Sequence, residues 1–438
     1  MIRLLPFIAL TLMAETLPLS LPKAVQLATA ANGNLRLQIT RETIAQAEAR
    51  RRFALGAFLP NIDGSAYASN QTRNLAAVGI GFRSPGLPLS FPSFVGPFTV
   101  VDVRANATQS ILDLSAIQRY RAAKVQIEAT NAEVRNALEI TIQQVARAYV
   151  QVLRAEAMLE TARANVSLAE RLVEFADSQK RAGTGTGIET TRSRVQLQNE
   201  KQRQTQAEND RTRTTLELKR VIGIDLAQDV EMTDRMNDGS EAIVSAEVAV
   251  EAALNQRPDL QAQRKRQVLA QLNIKSISSE RFPTLAASGD YGVIGDGSMM
   301  LPTRTVAVGM RVPIFDGGRR DARIAESGVA LRQERLQVED LKKQIELEVR
   351  VSLNNLKSAR TQIDTAKLGL ELAENELAQA QRRIEAGVAN SVELTDAQTR
   401  LTRARDNSLS ALYLFNLARI DVAAASGAMQ QAVSGMVK

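Results

Sequence analysis

The 438 residues of this chain include no cysteine, no histidine and no tryptophan. Without thiols or imidazoles there is no Cys–His nucleophile pair, no Ser–His–Asp triad, no thiolate zinc site and no imidazole proton relay. The lack of cysteine also removes an N-terminal lipid anchor and any disulfide record of compartment. A GxxxxGK[ST] phosphate loop is missing too. The chain is therefore read as not an enzyme, with no catalytic, cofactor-binding or metal-binding residues. Aromatic side chains make up only 4%, too few for the stacking platforms of a single-strand nucleic-acid binder. A net charge of +7 would attract polyanions. However, the basic residues are interleaved with acids, as in Arg332-Gln333-Glu334-Arg335, so they read as solvated helix faces and no nucleic-acid partner is expected. No stretch approaches the roughly 18–20 consecutive apolar residues of a spanning helix. Any membrane contact has to come from strands or from an amphipathic surface.

What the chain does contain is order. Arg3 followed by the apolar run Leu4 to Met13 and the small residue Ala14 reads as a secretory signal, residues 1–14. Leu21 to Leu55 is rich in Ala, Gln, Arg and Glu and predicts a helix, with Pro60 beyond its end. Residues 61–72 leave the helical pattern, and residues 75–98 read as a Gly/Pro/Phe loop. Val101, Val103, Ala105 and Ala107 then alternate with Asp102, Arg104, Asn106 and Thr108, a strand with one apolar and one polar face. Two further alternating runs flank the turn at Asp296-Gly297: Leu285 to Val293 and Val306 to Val312. Four candidate strands result, long enough to cross a bilayer and equally suited to a sandwich.

The long helices are less ordinary. Ala116 to Ala182 and Arg320 to Ala386 are free of proline, and each would extend on the order of 100 Å. The second carries apolar steps of three and four from Val338 through Ile345, Leu353 and Ile363 to Ile384, a coiled-coil period. A second stripe, Leu336, Leu347, Val351, Leu368 and Leu372, predicts packing on two sides. Each long helix turns at a Gly-containing tip and returns through Glu189 to Arg220 or Val392 to Ala425.

This order occurs twice. Leu59-Pro60 has a counterpart in Phe282-Pro283, Leu112-Asp113 in Phe315-Asp316, and Arg181-Ala182-Gly183 in Glu385-Ala386-Gly387. The spacing far exceeds the roughly 20–50 residues of solenoid units, so one large module is read as duplicated. The division is 1–14 signal, 15–220 first module, 221–248 linker or equatorial segment, 249–426 second module and 427–438 C-terminal tail.

Taken together these residues resemble the TolC-type outer-membrane efflux family. The marks are Arg257-Pro258-Asp259-Leu260, Pro313-Ile314-Phe315-Asp316-Gly317-Gly318-Arg319, and the Ala-Gly tips followed by an acid, Gly183/Glu189 and Gly387/Glu393. Asn34-Leu35-Arg36-Leu37 and Ile111-Leu112-Asp113-Leu114 are the looser first-copy counterparts. The resemblance implies a fold that is mainly α with a transmembrane β-barrel contribution. Long coiled-coil-like hairpins and four strands per chain would form a trimeric α/β-barrel tunnel. It implies a homotrimer in outer-membrane lipid, a periplasmic membrane-fusion adaptor, and an inner-membrane pump of RND or ABC type. The implied function is the passive exit duct of a tripartite efflux or type I secretion system, located in the cell outer membrane with its helical part in the periplasm. The contrasting reading is a soluble periplasmic or cytosolic coiled-coil scaffold, which needs neither signal nor alternating strands.

The resemblance further implies that the tips dock the adaptor and narrow the pore. Arg181, Ala182, Gly183, Glu385, Ala386 and Gly387 are the docking candidates, and Glu393, Asp396, Glu189 and Arg192 the gate candidates. Two roles stay open for the acids. Thr186-x-x-Glu189 is a capping box, Asn390-x-x-Glu393 resembles one, and Asp396 lies in a first helical turn. Arg192 stands where Asp396 would repeat and is a candidate to bridge to the acids in a closed state. Phe82, Phe91, Phe94 and Phe98 read either as part of an interfacial girdle or extracellular loop, or as a locally packed loop.

Overall fold

The structure is a computed structural model that describes residues 16–75, 77, 94–239, 245–386, 388 and 391–435, without the side chains of residues 385, 391 and 434. The signal reading of residues 1–14, together with Phe82, Phe91, Gly387 and Asn390, falls outside the described residues. The chain is mainly helical with a few strands. It divides into two units.

One unit comprises the chain up to Thr43, Asn131–Ala262, and the chain from Val338 onward. Its helices are α1 (Leu21–Thr29), the start of α2 (Leu35–Gly56), most of α3 (Leu114–Arg181), α4 (Gly187–Ile222), α5 (Ala246–Gln256), the first turn of α6 (Pro258–Ser279), most of α7 (Arg319–Glu385), α8 (Ser391–Ser426) and α9 (Met429–Ala432). The stripe on α7 is buried as its period predicts. Val338, Ile345, Val349, Leu353, Leu356 and Ile363 are all under one-tenth exposed, each such burial being worth roughly 1.5–3 kcal/mol. The second stripe is left uncovered by the described residues: in this unit Leu347, Leu368 and Leu372 stay more than half exposed, as does Leu336 just before it.

The single helix expected over Leu21 to Leu55 is two. Between Thr29 and Leu35 the chain breaks at Gly33, where a Cβ would lie 2.2 Å from the Leu27 carbonyl oxygen. Asn34 then caps α2, accepting from the Leu37 N–H at 3.2 Å and donating to the Val221 carbonyl at 2.7 Å. The linker segment carries structure of its own. β1 (Leu17–Leu19) pairs in parallel with β4 (Val230–Met232). The Asp234 carboxylate accepts the Leu21 N–H at 2.7 Å and lies 2.9 Å from the buried Tyr149 hydroxyl. That hydroxyl also lies 2.7 Å from the Leu19 carbonyl oxygen. In the expected tail Met429 and Val433 are buried in the same core as Leu19, Tyr149 and Ile420.

The other unit, Ile44–Thr130 and Gln263–Gln337, holds a four-stranded antiparallel sheet in the order β2-β3-β5-β6. Its strands are β2 (Asn61–Asn74), β3 (Phe94–Leu112), β5 (Thr284–Gly295) and β6 (Met300–Arg311). β3 starts earlier than the 75–98 loop boundary, because Phe94 and Val95 already pair with Asn74 and Arg73 beyond a register shift. Among the described residues neither outer strand, β2 or β6, has a further partner. Each loop out of the sheet ends in a helix cap: Asp113 accepts the Ala116 N–H at 2.9 Å to open α3, and Asp316 accepts the Arg320 N–H at 3.1 Å to open α7. Asp113 and Asp316 thus do the same structural job.

Candidate functional site

Alternation along the strands separates two chemical faces, since neighbouring residues point to opposite sides. Register places Asp102, Arg104 and Asn106 on one side with Asp63, Ser65, Ser288 and Asp290. There the Arg104 guanidinium bridges two strands, with Nε 2.7 Å from Asp102 and NH1 3.1 Å from Asp290. Asn106 donates to the Ser65 hydroxyl at 3.2 Å. Gly292 lets this crossing happen: a Cβ there would sit 2.3 Å from the Val103 carbonyl oxygen and 2.4 Å from the Arg104 Cβ. The opposite side carries Ile62, Val103, Val293, Val306, Val308 and Met310. Of these, Ile62, Val306, Val308 and Met310 are exposed by 65% or more. A sheet that leaves its apolar face uncovered and both edges unpaired is incomplete in water, but suited to lipid once the edges close.

The two hairpin tips lie in the other unit. At the first, α3 ends at Arg181 and Gly183 takes φ 73°, with the Gly183, Thr184 and Gly185 amides bonded back to Lys180 and Gln179. Arg181 folds onto its own helix, 3.3 Å from the Ser178 hydroxyl and 3.4 Å from the Asp177 carbonyl. Glu189 is committed to the start of α4, accepting from the Thr186 N–H at 2.8 Å and its hydroxyl at 3.0 Å. The capping reading of this acid therefore has a geometric basis. Ala182 and Ala386 are exposed.

Of the gate candidates, Glu189, Arg192 and Asp396 line one cleft of about 250 Å³ between the two hairpins, floored by Leu172, Phe175 and Ile384. Arg192 and Asp396 are both exposed, and among the described residues neither forms an ion pair. Glu393 is placed differently: its carboxylate lies 3.1 Å from the Arg383 Nε, across its own hairpin. Much of its charge is thereby answered within one chain. Three apolar residues that sequence reading passed over also mark the tips. Ile188 is 61%, Val388 67% and Val392 47% exposed. Ile188 and Val392 are each the second residue of their helix, and that shared place after the two tips was the available signal.

A second cluster was not anticipated. Glu200 on α4 is 1% exposed. One oxygen accepts from Gln196 at 2.8 Å and lies 3.4 Å from Arg203, while the other is buried without a partner. Burial pushes its carboxyl above the ordinary glutamate range and nearby Asp406 adds to this, against the pull of Arg203. Glu200, Arg203 and Asp406 line a cavity of about 460 Å³ between α3, α4 and α8, together with Arg154, which stacks 4.5 Å over the Tyr413 ring. In sequence Glu200 looks like any solvated acid of a long helix.

Among the described residues no group of three or more Asp and Glu is arranged to hold a metal ion, and no helix is long and apolar enough to cross a membrane. The second fact says nothing about the sheet.

Comparison with known proteins agrees with this geometry. The chain is 22% identical over 299 residues to the outer membrane protein TolC of Vibrio cholerae, a match covering 66% of this chain and 68% of that protein. The CmeC outer membrane channel of Campylobacter jejuni superposes with a TM-score of 0.79 at 17% identity, over 95% of this chain and 89% of that one. The open state of the MtrE outer membrane channel of Neisseria gonorrhoeae gives 0.77 at 18% identity, over 93% and 88%. At such identities the superpositions establish the fold. The family itself follows from its sequence profile, which matches residues 27–224 and again 249–428: the chain belongs to the outer membrane efflux protein family.

Proposed function

We propose that the protein is the outer-membrane exit duct of a tripartite export assembly, passive and without energy coupling of its own. The observation that carries this is the sheet: four strands, two open edges, one exposed apolar face and one ion-paired polar face. Three copies joined edge to edge remove every edge and turn the apolar faces to lipid and the polar faces to a water-filled lumen. The uncovered stripe of Leu336, Leu347, Leu368 and Leu372 on α7 supports burial against helices of neighbouring copies in the same homotrimer. A coiled-coil scaffold in solution would have no use for the exposed apolar sheet face.

The helical tips form the periplasmic end. Exposed Ile188, Val388 and Val392 offer a periplasmic adaptor an apolar surface beside the small residues Ala182, Gly183 and Ala386, and an RND or ABC pump works through that adaptor. Asp396 and Arg192 provide the charges at the entrance, with three copies of each around the axis, whereas Arg383 offsets Glu393. Small-molecule efflux and type I protein secretion both fit such a duct.

Single-channel recording in planar bilayers tests the assignment. Asp396→Asn should reduce cation over anion selectivity, and Glu393→Gln should change it less. An unchanged reversal potential in Asp396→Asn would remove the gate role. Failure to form any heat-modifiable outer-membrane species would remove the duct.

A further inference from the structure

Within the unbroken register of the sheet, the apolar face carries one charged residue. It is Arg304 on β6, placed between Pro302 and Val306 in the lane that continues through Val308 and Met310. Arg304 is exposed and, among the described residues, has neither an ion-pair nor a hydrogen-bond partner. A cation on a lipid-facing strand is unfavourable at the bilayer midplane and nearly neutral at the interface. Its depth can be read from the lane itself. From Arg304 toward the end of β6 the outward positions are Val306, Val308 and Met310, and Val312 follows directly past the strand. At about 3.4 Å per residue and a tilt of roughly 40° they span about 20 Å, most of the ~25 Å apolar band of an outer-membrane barrel. Phe315, 86% exposed, follows at the lower limit. Arg304 therefore lies near the outer limit, close to the level of the headgroups, with only the outward Val293–Pro302 and Gly295–Met300 rows of β5 and β6 beyond it.

The row across the sheet fits that depth. Arg304 is directly opposite Tyr291, which pairs in turn with Ala105, and Ala105 with Gly64. Tyr291 is 67% exposed. Tyrosine with its apolar ring in lipid and its hydroxyl in the headgroup layer is the girdle residue of such barrels. Two small residues in the same row leave the arginine and the tyrosine standing above an open surface. A guanidinium and a phenolic hydroxyl side by side form a donor set matched to phosphate oxygens.

We infer that Arg304 and Tyr291 bind the phosphate of an anionic glycolipid of the outer leaflet, fixing the height of the barrel in the membrane. This rests on the barrel reading above, and the test separates the two. The probe is a bis-phosphorylated glycolipid added to the detergent-purified, delipidated protein, with its dephosphorylated form and inorganic phosphate as controls. Binding is read by native mass spectrometry and by the shift in melting midpoint. Wild type should bind the phosphorylated lipid and melt higher. Arg304→Gln should weaken binding at least tenfold, Arg304→Lys should restore part of it, and Tyr291→Phe should cost two- to threefold. Equal binding of the dephosphorylated lipid, an equal effect of inorganic phosphate, or undiminished binding by Arg304→Gln would overturn the inference. So would an Arg304→Gln variant that loses oligomer stability while keeping lipid affinity, because the arginine would then serve a second copy of the chain. The natural absence of cysteine allows a single nitroxide at Val308→Cys to test the barrel separately. A label reached by lipid-dissolved oxygen upholds the barrel whatever the lipid result, and a label reached only by aqueous relaxants removes it.

Discussion

Arg257 is the residue whose removal has the most clearly derived consequence. Its guanidinium meets Asp259 at two points, 2.6 and 3.2 Å, reaches Glu348 at 2.5 Å and donates to the Ala425 carbonyl at 3.3 Å. It thereby ties the start of α6 to α7 and to the last turn of α8. The arginine side chain is 13% exposed, Asp259 20% and Glu348 37%. Breaking a fully buried pair costs about 3–5 kcal/mol, and the half-open Glu348 side must be discounted for solvent screening. Arg257→Ala should therefore cost about 2–4 kcal/mol, felt first as local opening. The amides to watch are Gly427 and Ala428, which bond back to Ala424 and Ala423 in the turn that Arg257 covers. Since 1.4 kcal/mol is a factor of ten, their hydrogen exchange should speed up by about 30-fold to several hundredfold. Arg257→Lys keeps the charge and loses the two-point geometry, so it should fall between. Exchange within threefold of wild type in Arg257→Ala would refute the reasoning that Arg257 holds α6, α7 and the end of α8 together.

Two further outcomes follow from the geometry. Because burial raises the Glu200 carboxyl above its ordinary value of 4.5, the folded state favours the protonated form: stability is fully present below that value and is lost as pH rises through the raised one. Glu200→Gln should thus melt higher than wild type at pH 8, by about 1–2 kcal/mol of stability, and equally near pH 4; a wild type more stable at pH 8 would contradict this. At Gly292, a methyl group would collide with the Val103 carbonyl oxygen and the Arg104 Cβ. Overpacking of this kind costs about 1–3 kcal/mol or more, so Gly292→Ala should sharply reduce the heat-modifiable folded band on gels, and an undiminished band would count against the β3–β5 register.

The features legible in the sequence were those with a short period. Alternation in Val101 to Thr108 and in Leu285 to Val293 was enough to find strands, because a strand repeats every two residues whatever surrounds it. The steps of three and four along α7 separated the buried residues Ile345, Leu353 and Ile363 from exposed Leu347 and Leu368 for the same reason. The paired Asp113 and Asp316 were visible as marks, although their role as caps of α3 and α7 became clear only from the Ala116 and Arg320 amides they accept.

Where long sequence separations meet, sequence reading went astray or stayed open. Nothing near Asn34 announces that the Val221 carbonyl will hold it and break the helix. The tip acids Glu189, Glu393 and Asp396 look alike in sequence. The fold commits the first to a cap and the second to Arg383, and leaves the third exposed in a cleft with Arg192. Glu200 and Glu208 are both glutamates of one long helix, yet only Glu200 is buried, because burial depends on which helix packs against that turn. The sequence by itself thus determined the long helices, the main strands and their two-sided faces, which are consequences of local backbone geometry, while the order of its motifs carried the family resemblance. Tertiary structure decided which charges are answered and which remain available, because a charge's partner is set by chain segments far away in sequence.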